Sequence, residues 1–460
     1  MGKKATKVGT NGDNVINGTK GGDVIVAKGG DDLIKGKGGN DIICGGGGVD
    51  IIFGGNGNDK MDGGAGGDYL MGQSGNDTYK GGADPDTAMF NTSPAAVVVD
   101  LGAGTATGEG ADKLVNINGV FGSPGDDTLI GDDATNFLFG NDGNDTINGF
   151  GDIDLIDPGL GNDIVDGGET PGSGFDLDIV YFTGTSGVVV NLQTGTATGG
   201  QGTDDLANLE AVVGSEGNDN ITGDNGSNIL FGGLGDDTID GGGGPAIDYA
   251  SYWFAANAID ANLETGVATG EGTDTLVRIE GLLGSIDHDD TLTGDNENNY
   301  LDGDGGNNIL DGQGGQDLFL GAGGDDTIIG GPGDFDMVDY FCGVCDLNAN
   351  LLEGGITGDG NDTVSGIEAV GAADGDDTLI GDEGDNIFFG WGGTDTIEGL
   401  GGNDKLDGGG GTNDLDGGPG TADQCVNYTV YANCEDLSGP IDNHPLYEGV
   451  ELVTALSRHF

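Results

Sequence analysis

Asp23, Asp32, Asp41, Asp50, Asp59, Asp68, Asp77 and Asp86 stand at intervals of nine residues. Carboxylates repeated at a fixed interval gather negative oxygens in rows, an arrangement that is costly without cations between them. Glycine and asparagine crowd around each aspartate, so turn carbonyls point into the same space. Carboxylate and carbonyl oxygens in a flexible set suit Ca²⁺ better than Mg²⁺, which wants near-ideal octahedra and keeps its water. Transition metals would draw on His or Cys, and His288, His444 and His459 are scattered. The candidate metal ligands are Asp23, Asp32, Asp41, Asp50, Asp59, Asp68 and Asp77 in the first run. The beat then returns four times and adds Asp127, Asp145, Asp154 and Asp163; Asp219 and Asp237; Asp290, Asp317 and Asp326; Asp377, Asp395 and Asp404. The second turn of each later run carries an amide instead (Asn136, Asn228, Asn299, Asn386). A neutral side chain there predicts a turn facing a spacer, with no complete metal site.

Other chemistries find little support. There is no HExxH helix and no GxSxG elbow; GQSG at 72–75 and GTSG at 184–187 have the wrong spacing. DGDGG at 302–306 lacks the glutamate that an EF-hand loop needs at position twelve. The regular spacing of the acids favours metal binding over a glycosidase pair. CGVC at 342–345 has no βαβ context for a redox motif and reads as a local disulfide or two packed thiols. Cys44 is left odd, lacking a partner or simply buried as a small apolar residue. Tyr252, Trp253, Phe254 and Trp391 read as caps on an apolar ladder rather than as sugar-stacking platforms.

The elements that position these acids follow from the unit itself. GGNGNDKMD, residues 54–62, is representative: glycines first, aspartate sixth, an apolar residue eighth. Glycine and asparagine build a tight turn, because glycine takes positive φ freely. The last three residues make a minimal strand with one inward side chain. Neither half is stable alone, but stacked units bury a ladder between two sheets. With two units per coil, every second aspartate lies directly above its partner, Asp23 over Asp41 and Asp32 over Asp50.

Composition agrees. The chain has 104 glycines in 460 residues and 10 prolines, without a Gly-X-Y period, which excludes collagen and long helices. A net charge of −68 would ordinarily mean disorder, yet 34% of residues are hydrophobic and regularly placed, so cations must neutralise the acids. With 13 basic residues there is no footprint for nucleic acid. The charge is uneven, since residues 1–80 hold nine Lys against ten Asp. No apolar run is long enough to span a membrane, and no signal peptide is present, so a leader is expected to have been removed or export to use another route.

A second unit interrupts the beat four times. It starts at Asp86, Asp178, Asp248 and Asp336 and runs to the next nonapeptide aspartate, Asp127, Asp219, Asp290 and Asp377 in turn. The four spans are almost identical in length, as a structural element requires and a floppy linker does not. Each copy has a VVVDL-like run, a TATG- or ITG-like run, an aspartate (Asp112, Asp204, Asp274, Asp362) and an LVNI-like run, read as short strands. The segments expected are 1–90, a first repeat block; 91–177, 178–247, 248–335 and 336–422, each a spacer with its block; and 423–460, a terminal cap. Residues 446–460 are expected to form a short helix that caps the roll, with an uncleaved export signal as the alternative.

Tandem GGxGxDxUx units of this kind resemble the RTX, or hemolysin-type, calcium-binding repeats, and with their spacers they cover most of residues 9–420. The opening 3–25 and DIICGGGG around Cys44 resemble secreted actinobacterial members. The resemblance implies an all-β fold, a right-handed parallel β-roll or β-solenoid in one continuous stack, with multiple Ca²⁺ held by sixth-position aspartates and backbone carbonyls. It implies a chain unfolded at cytosolic calcium that folds outside the cell. The departures are the asparagine turns and residues 408–422, where no complete site is expected. Cys425 and Cys434 lie in a segment similar to a two-cysteine terminus of such proteins, which implies a disulfide. The function expected is that of a secreted, non-enzymatic calcium-binding protein, structural or adhesive, with calcium and an extracellular or cell-surface polysaccharide or protein as partners. The alternative is a calcium-dependent secretion, stability or glycan-binding region of an exported enzyme or toxin.

Overall fold

The computed structural model describes residues 4–169, 177–321, 323–333, 335–340, 343–420 and 422–434. Among them every regular element is a strand. None is a helix that could cross a membrane. The chain divides into two compact units, Met1–Glu216 and Gly217–Phe460, built on one plan.

In the first unit successive nonapeptides alternate between two parallel sheets. Val24–Val26, Ile42–Gly47, Lys60–Ala65 and Thr78–Gly82 stack in one sheet, with Ile25 opposite Ile43 and Ile43 opposite Met61. Val15–Asn17, Leu33–Gly38, Ile51–Asn56 and Tyr69–Met71 stack in the other. Each strand therefore pairs with the next unit but one, so a coil is made of two nonapeptides. The eighth residue of each unit points inward: Ile34, Ile43, Ile52, Met61, Leu70 and Tyr79 are buried. Each such side chain contributes about 1.5–3 kcal/mol by leaving water. The second unit repeats the plan, with Leu292, Leu310 and Ile328 in one ladder and Leu282, Leu301 and Phe319 in the other.

The spacers stay within the sheets. In the first, Val98–Asp100, Thr105–Thr107 and Ala111–Val115 form an antiparallel meander. The last of these pairs parallel with Thr78–Gly82 of the coil before, and the first pairs parallel with Thr128–Ile130 of the coil after. The chain thus steps forward and folds back, so its order along the sheet is locally reversed. In the opposite sheet Gly119–Phe121 slots between Thr87–Met89 and Phe137–Phe139. The hairpin turn explains itself locally. Ala103 donates its N–H to Asp100 Oδ1 at 2.6 Å, and Gly104 takes φ +66°, a conformation a side chain would resist. Asn191, Asn262 and Asn350 accept the same bond in the other three spacers.

Cys425 and Cys434 form a disulfide. Cys345 is also disulfide-bonded; Cys342 and the helix expected at 446–460 lie outside the described residues. Cys44 is a free, half-buried thiol. Tyr252 is interior, whereas Phe254 and Trp391 are surface rings packed on Phe231 and Phe389.

Candidate metal centre

Every candidate aspartate is buried. Coil stacking fixes one oxygen of each. Asp41 donates its backbone N–H to Asp59 Oδ1 at 2.7 Å, and Asp59 donates to Asp77 Oδ1 at 2.7 Å. Asp32, Asp50 and Asp68 are linked the same way at 2.9 and 2.8 Å. The later blocks repeat the link from Asp127 to Asp145 to Asp163, from Asp219 to Asp237, and from Asp377 to Asp395. Two columns of carboxylates result, one beside each row of turns.

The second oxygen is the informative one. Oδ2 of Asp32, Asp41, Asp50, Asp59, Asp68, Asp77, Asp145, Asp237, Asp317, Asp395 and Asp404 is buried without a hydrogen-bond partner. A buried anionic oxygen left unpaired costs several kcal/mol, roughly. All but Asp32, which has Ala27 at that place, sit in a cradle framed by a glycine five residues before. A Cβ on Gly54 would lie 2.6 Å from Asp59 Oδ2 and 3.0 Å from the Gly72 carbonyl oxygen of the next coil. Gly390 stands in the same relation to Asp395 Oδ2 and the Gly408 carbonyl, at 2.6 and 3.2 Å. Carboxylate and carbonyl oxygens thus face one small space, and the donor set fits Ca²⁺. Among the described residues no three acidic, histidine or cysteine side chains converge, so most ligands there would be backbone carbonyls.

Electrostatics point the same way. Burial, opposed by the N–H of the coil before and reinforced by column neighbours, pushes Asp68 up to about 7 and Asp145 and Asp317 up to about 8. These three carboxyls therefore hold their protons more tightly than usual, as carboxylates do when a counter-charge is missing.

The candidates are not alike. Asp23 has both oxygens filled by donors: Thr6 Oγ1 to Oδ1 at 2.9 Å, and the Thr19 N–H and hydroxyl to Oδ2 at 2.7 and 2.8 Å. The Thr19 backbone bond, first among these, holds its carboxyl below the usual range. Asp127 and Asp290, each the first aspartate after a spacer, receive the N–H and hydroxyl of Ser123 and Ser285. The asparagines turn inward on their own turns: Asn136, Asn228, Asn299 and Asn386 accept the N–H of the residue four before through Oδ1. At 408–422, Asn413 sends its amide to the Gly408 and Asn427 carbonyls, so an N–H group stands where a cation would.

Three sets of residues were missed by sequence reasoning. The opening aspartates Asp86 and Asp336, and the mid-spacer Asp112, Asp204, Asp274 and Asp362, accept column N–H bonds like any nonapeptide aspartate. Glu210, Glu280 and Glu368 accept the N–H of Asp178, Asp248 and Asp336 and end the other column at the last three spacers. The fifth-position amides form an exposed ladder, in which Asn58 donates its N–H to Asn40 Oδ1 and Asn76 to Asn58 Oδ1, at 3.0 Å each. The spacer acids recur at a fixed place in all four copies, and Asp112, Asp204, Asp274 and Asp362 each end a G-x-G-x-D turn like that of the nonapeptide; those were their available signals.

Comparison with known proteins agrees with this geometry. The family model of the RTX calcium-binding nonapeptide repeat (4 copies) matches residues 8–43, 45–79, 53–88, 121–156, 130–165, 213–245, 286–319, 312–334, 372–406 and 392–421, together more than half of the chain. No curated protein matches. Among solved structures, the extracellular lipase LipA from Serratia marcescens aligns over 54% of this chain and 37% of its own at 17% identity, with a TM-score of 0.17 that carries no structural argument. A glycine-framed aspartate at every ninth residue, stacked in parallel coils with its outer oxygen unfilled, and the family match across all five blocks lead to one conclusion: the chain belongs to the RTX calcium-binding nonapeptide-repeat family.

Proposed function

We propose that this calcium-binding repeat protein works outside the cell as a non-enzymatic structural or adhesive module whose folding is coupled to Ca²⁺. The aspartates that would hold the ions are Asp32, Asp41, Asp50, Asp59, Asp68, Asp77, Asp145, Asp237, Asp317, Asp395 and Asp404, with the turn carbonyls beside them. The observation that carries the reading is the unpartnered, buried Oδ2 of each, repeated coil after coil. Bound cations supply the positive charge that the columns lack. A chain of net charge −68 repels itself when those cations are withdrawn, so occupancy and folding rise together. Extracellular calcium modules bind at about 10⁻⁴–10⁻³ M, so leaving the cell would itself switch the fold on. The test is far-UV circular dichroism of EDTA-stripped protein titrated with calcium, with magnesium in parallel. A steep rise to β structure in calcium alone supports the reading. A stripped protein that is already β-rich and indifferent to calcium refutes it.

A further inference from the structure

The two units share a plan but differ on the outer face of one sheet. Beside each inward ladder residue, the neighbours in the strand point away from the core. In the first unit such residues meet solvent. Ile51 lies between Leu33 and Tyr69, and Tyr69 between Ile51 and Thr87, yet they are 40% and 38% exposed. Sheet neighbours alone therefore leave more than a third of such a side chain open. In the second unit Tyr249, Tyr300, Leu318 and Met337 hold the same place beside their ladder residues and are 0% exposed. Between Leu283 and Leu320 on this face, burial pushes the Asp302 carboxyl up to about 7. Tyr249 spreads over Gly281, whose Cβ would collide with its ring, and meets Tyr300 edge-on at 5.3 Å. Phe254 packs on Phe231 at the near border, several strands short of Leu318 and Met337. A further layer must lie over the strands from Tyr249–Ser251 to Met337–Asp339.

Residues 435–460 belong to the same compact unit as this face. Gly439 and Gly449 are their only glycines, so they lack the means to turn another coil. After Pro445, Leu446, Val450, Val453, Leu456 and Phe460 recur every three or four residues, an apolar stripe at helical spacing. The end of the roll does not use that stripe, for Tyr431 continues the ladder of Leu415 and is still 47% exposed. The side of the roll matches it in length. A helix over 446–460 is about 22 Å long, and the strands from Tyr249 to Met337 span about 19 Å at ordinary sheet spacing. Residues 435–445 reach about 36 Å when extended. That exceeds the distance of about 19 Å back along the sheet from Gln424–Val426 to Met337–Asp339.

We propose that residues 446–460 dock as an amphipathic helix along the outer face of this sheet, across Tyr249, Tyr300, Leu318 and Met337, and not over the end of the roll. The second unit thereby gains a second apolar layer outside its ladder, while the first leaves the matching face open around Ile51 and Tyr69. The inference stands apart from the calcium reading and is tested with the sites filled.

The test is tyrosine nitration of the full chain in saturating calcium, mapped by mass spectrometry, with circular dichroism reporting β structure. In the wild type Tyr69 is expected to react while Tyr249 and Tyr300 stay protected. The double variant Val453→Asp and Leu456→Asp sets charges into the apolar stripe. Its Tyr249 and Tyr300 are expected to react at the rate of Tyr69 with β structure kept, whereas Glu451→Gln, on the other side of the helix, is expected to match the wild type. Protection that persists in the double variant overturns the proposal, as does nitration of Tyr300 in the wild type. Protection that falls on dilution assigns the face to a second copy of the chain and overturns it too. A measurement that needs no destabilising change is a photo-reactive benzophenone in place of Ser457. It is expected to cross-link to residues 300–339, and cross-links confined to 424–434 overturn the proposal.

Discussion

Asp23 and Asp59 hold the same place in the repeat and differ in their neighbours. Threonine donors answer both oxygens of Asp23, whereas Asp59 keeps one oxygen unanswered against the Gly54 cradle. Asp59→Asn is therefore expected to raise the calcium midpoint of folding and to remove bound calcium, and Asp23→Asn to leave both near wild type; calorimetric calcium titration separates them. Gly54→Ala is expected to behave like Asp59→Asn, because its methyl would fill the space shared by Asp59 Oδ2 and the Gly72 carbonyl. Protonation gives a second expectation. The folded-state carboxyls of Asp68, Asp145 and Asp317 are raised to about 7 or 8, from about 4 in an unfolded chain. Groups raised in this way stabilise the fold fully below about pH 4 and lose that contribution as pH climbs through 7 to 8. In EDTA, β structure by circular dichroism should accordingly increase on acidification from pH 8 to 4. In calcium the same protons compete with the ion, so the calcium midpoint should rise as pH falls.

At the scale of the element, the nonapeptide is a turn that positions oxygens and a three-residue strand that buries one side chain. Ile52 fills the ladder between Ile34 and Leu70 and is fully buried. Ile52→Ala should cost about 2–5 kcal/mol in the calcium-loaded state, the usual penalty for emptying such a site; chemical denaturation at saturating calcium measures it. Much of this element was legible in the sequence. Glycine at the front, aspartate sixth and Ile, Leu or Met eighth dictate turn, column and ladder, and the two-unit coil follows. The asparagine turns stand out in the sequence by their amide, and Asn136 uses its oxygen within its own turn. Asp112 was passed over: Gly108 and Gly110 frame it as glycines frame a nonapeptide aspartate, but a meander lengthens the chain between it and Asp77, its neighbour in the column. Nor could the sequence say that Tyr252 and Tyr340 reach aspartates later in their own spacers, or that Asn40, Asn58 and Asn76 form a ladder. Those contacts arise from stacking, and a one-dimensional period does not reveal which oxygen is left over.

For the whole molecule the deciding quantity is charge. Residues 1–80 are nearly neutral by their nine Lys and ten Asp, and the rest of the chain carries almost all of the −68. In the absence of calcium, sodium chloride at about 1 M shortens the screening length to about 3 Å, which should shrink the chain in small-angle scattering without restoring β structure. Millimolar calcium should do both, since the buried oxygens need a ligand and not merely a screened field. The backward step of each spacer adds a different consequence. Val98–Asp100 belongs to the coil after it and Ala111–Val115 to the coil before it, so the two flanks of the exposed Gly102–Ala103 tip reach past one another. A protease that cuts this tip would leave two pieces clasped like crossed fingers, each holding a strand of the other's sheet. Such a molecule can be nicked at an exposed loop and still not come apart.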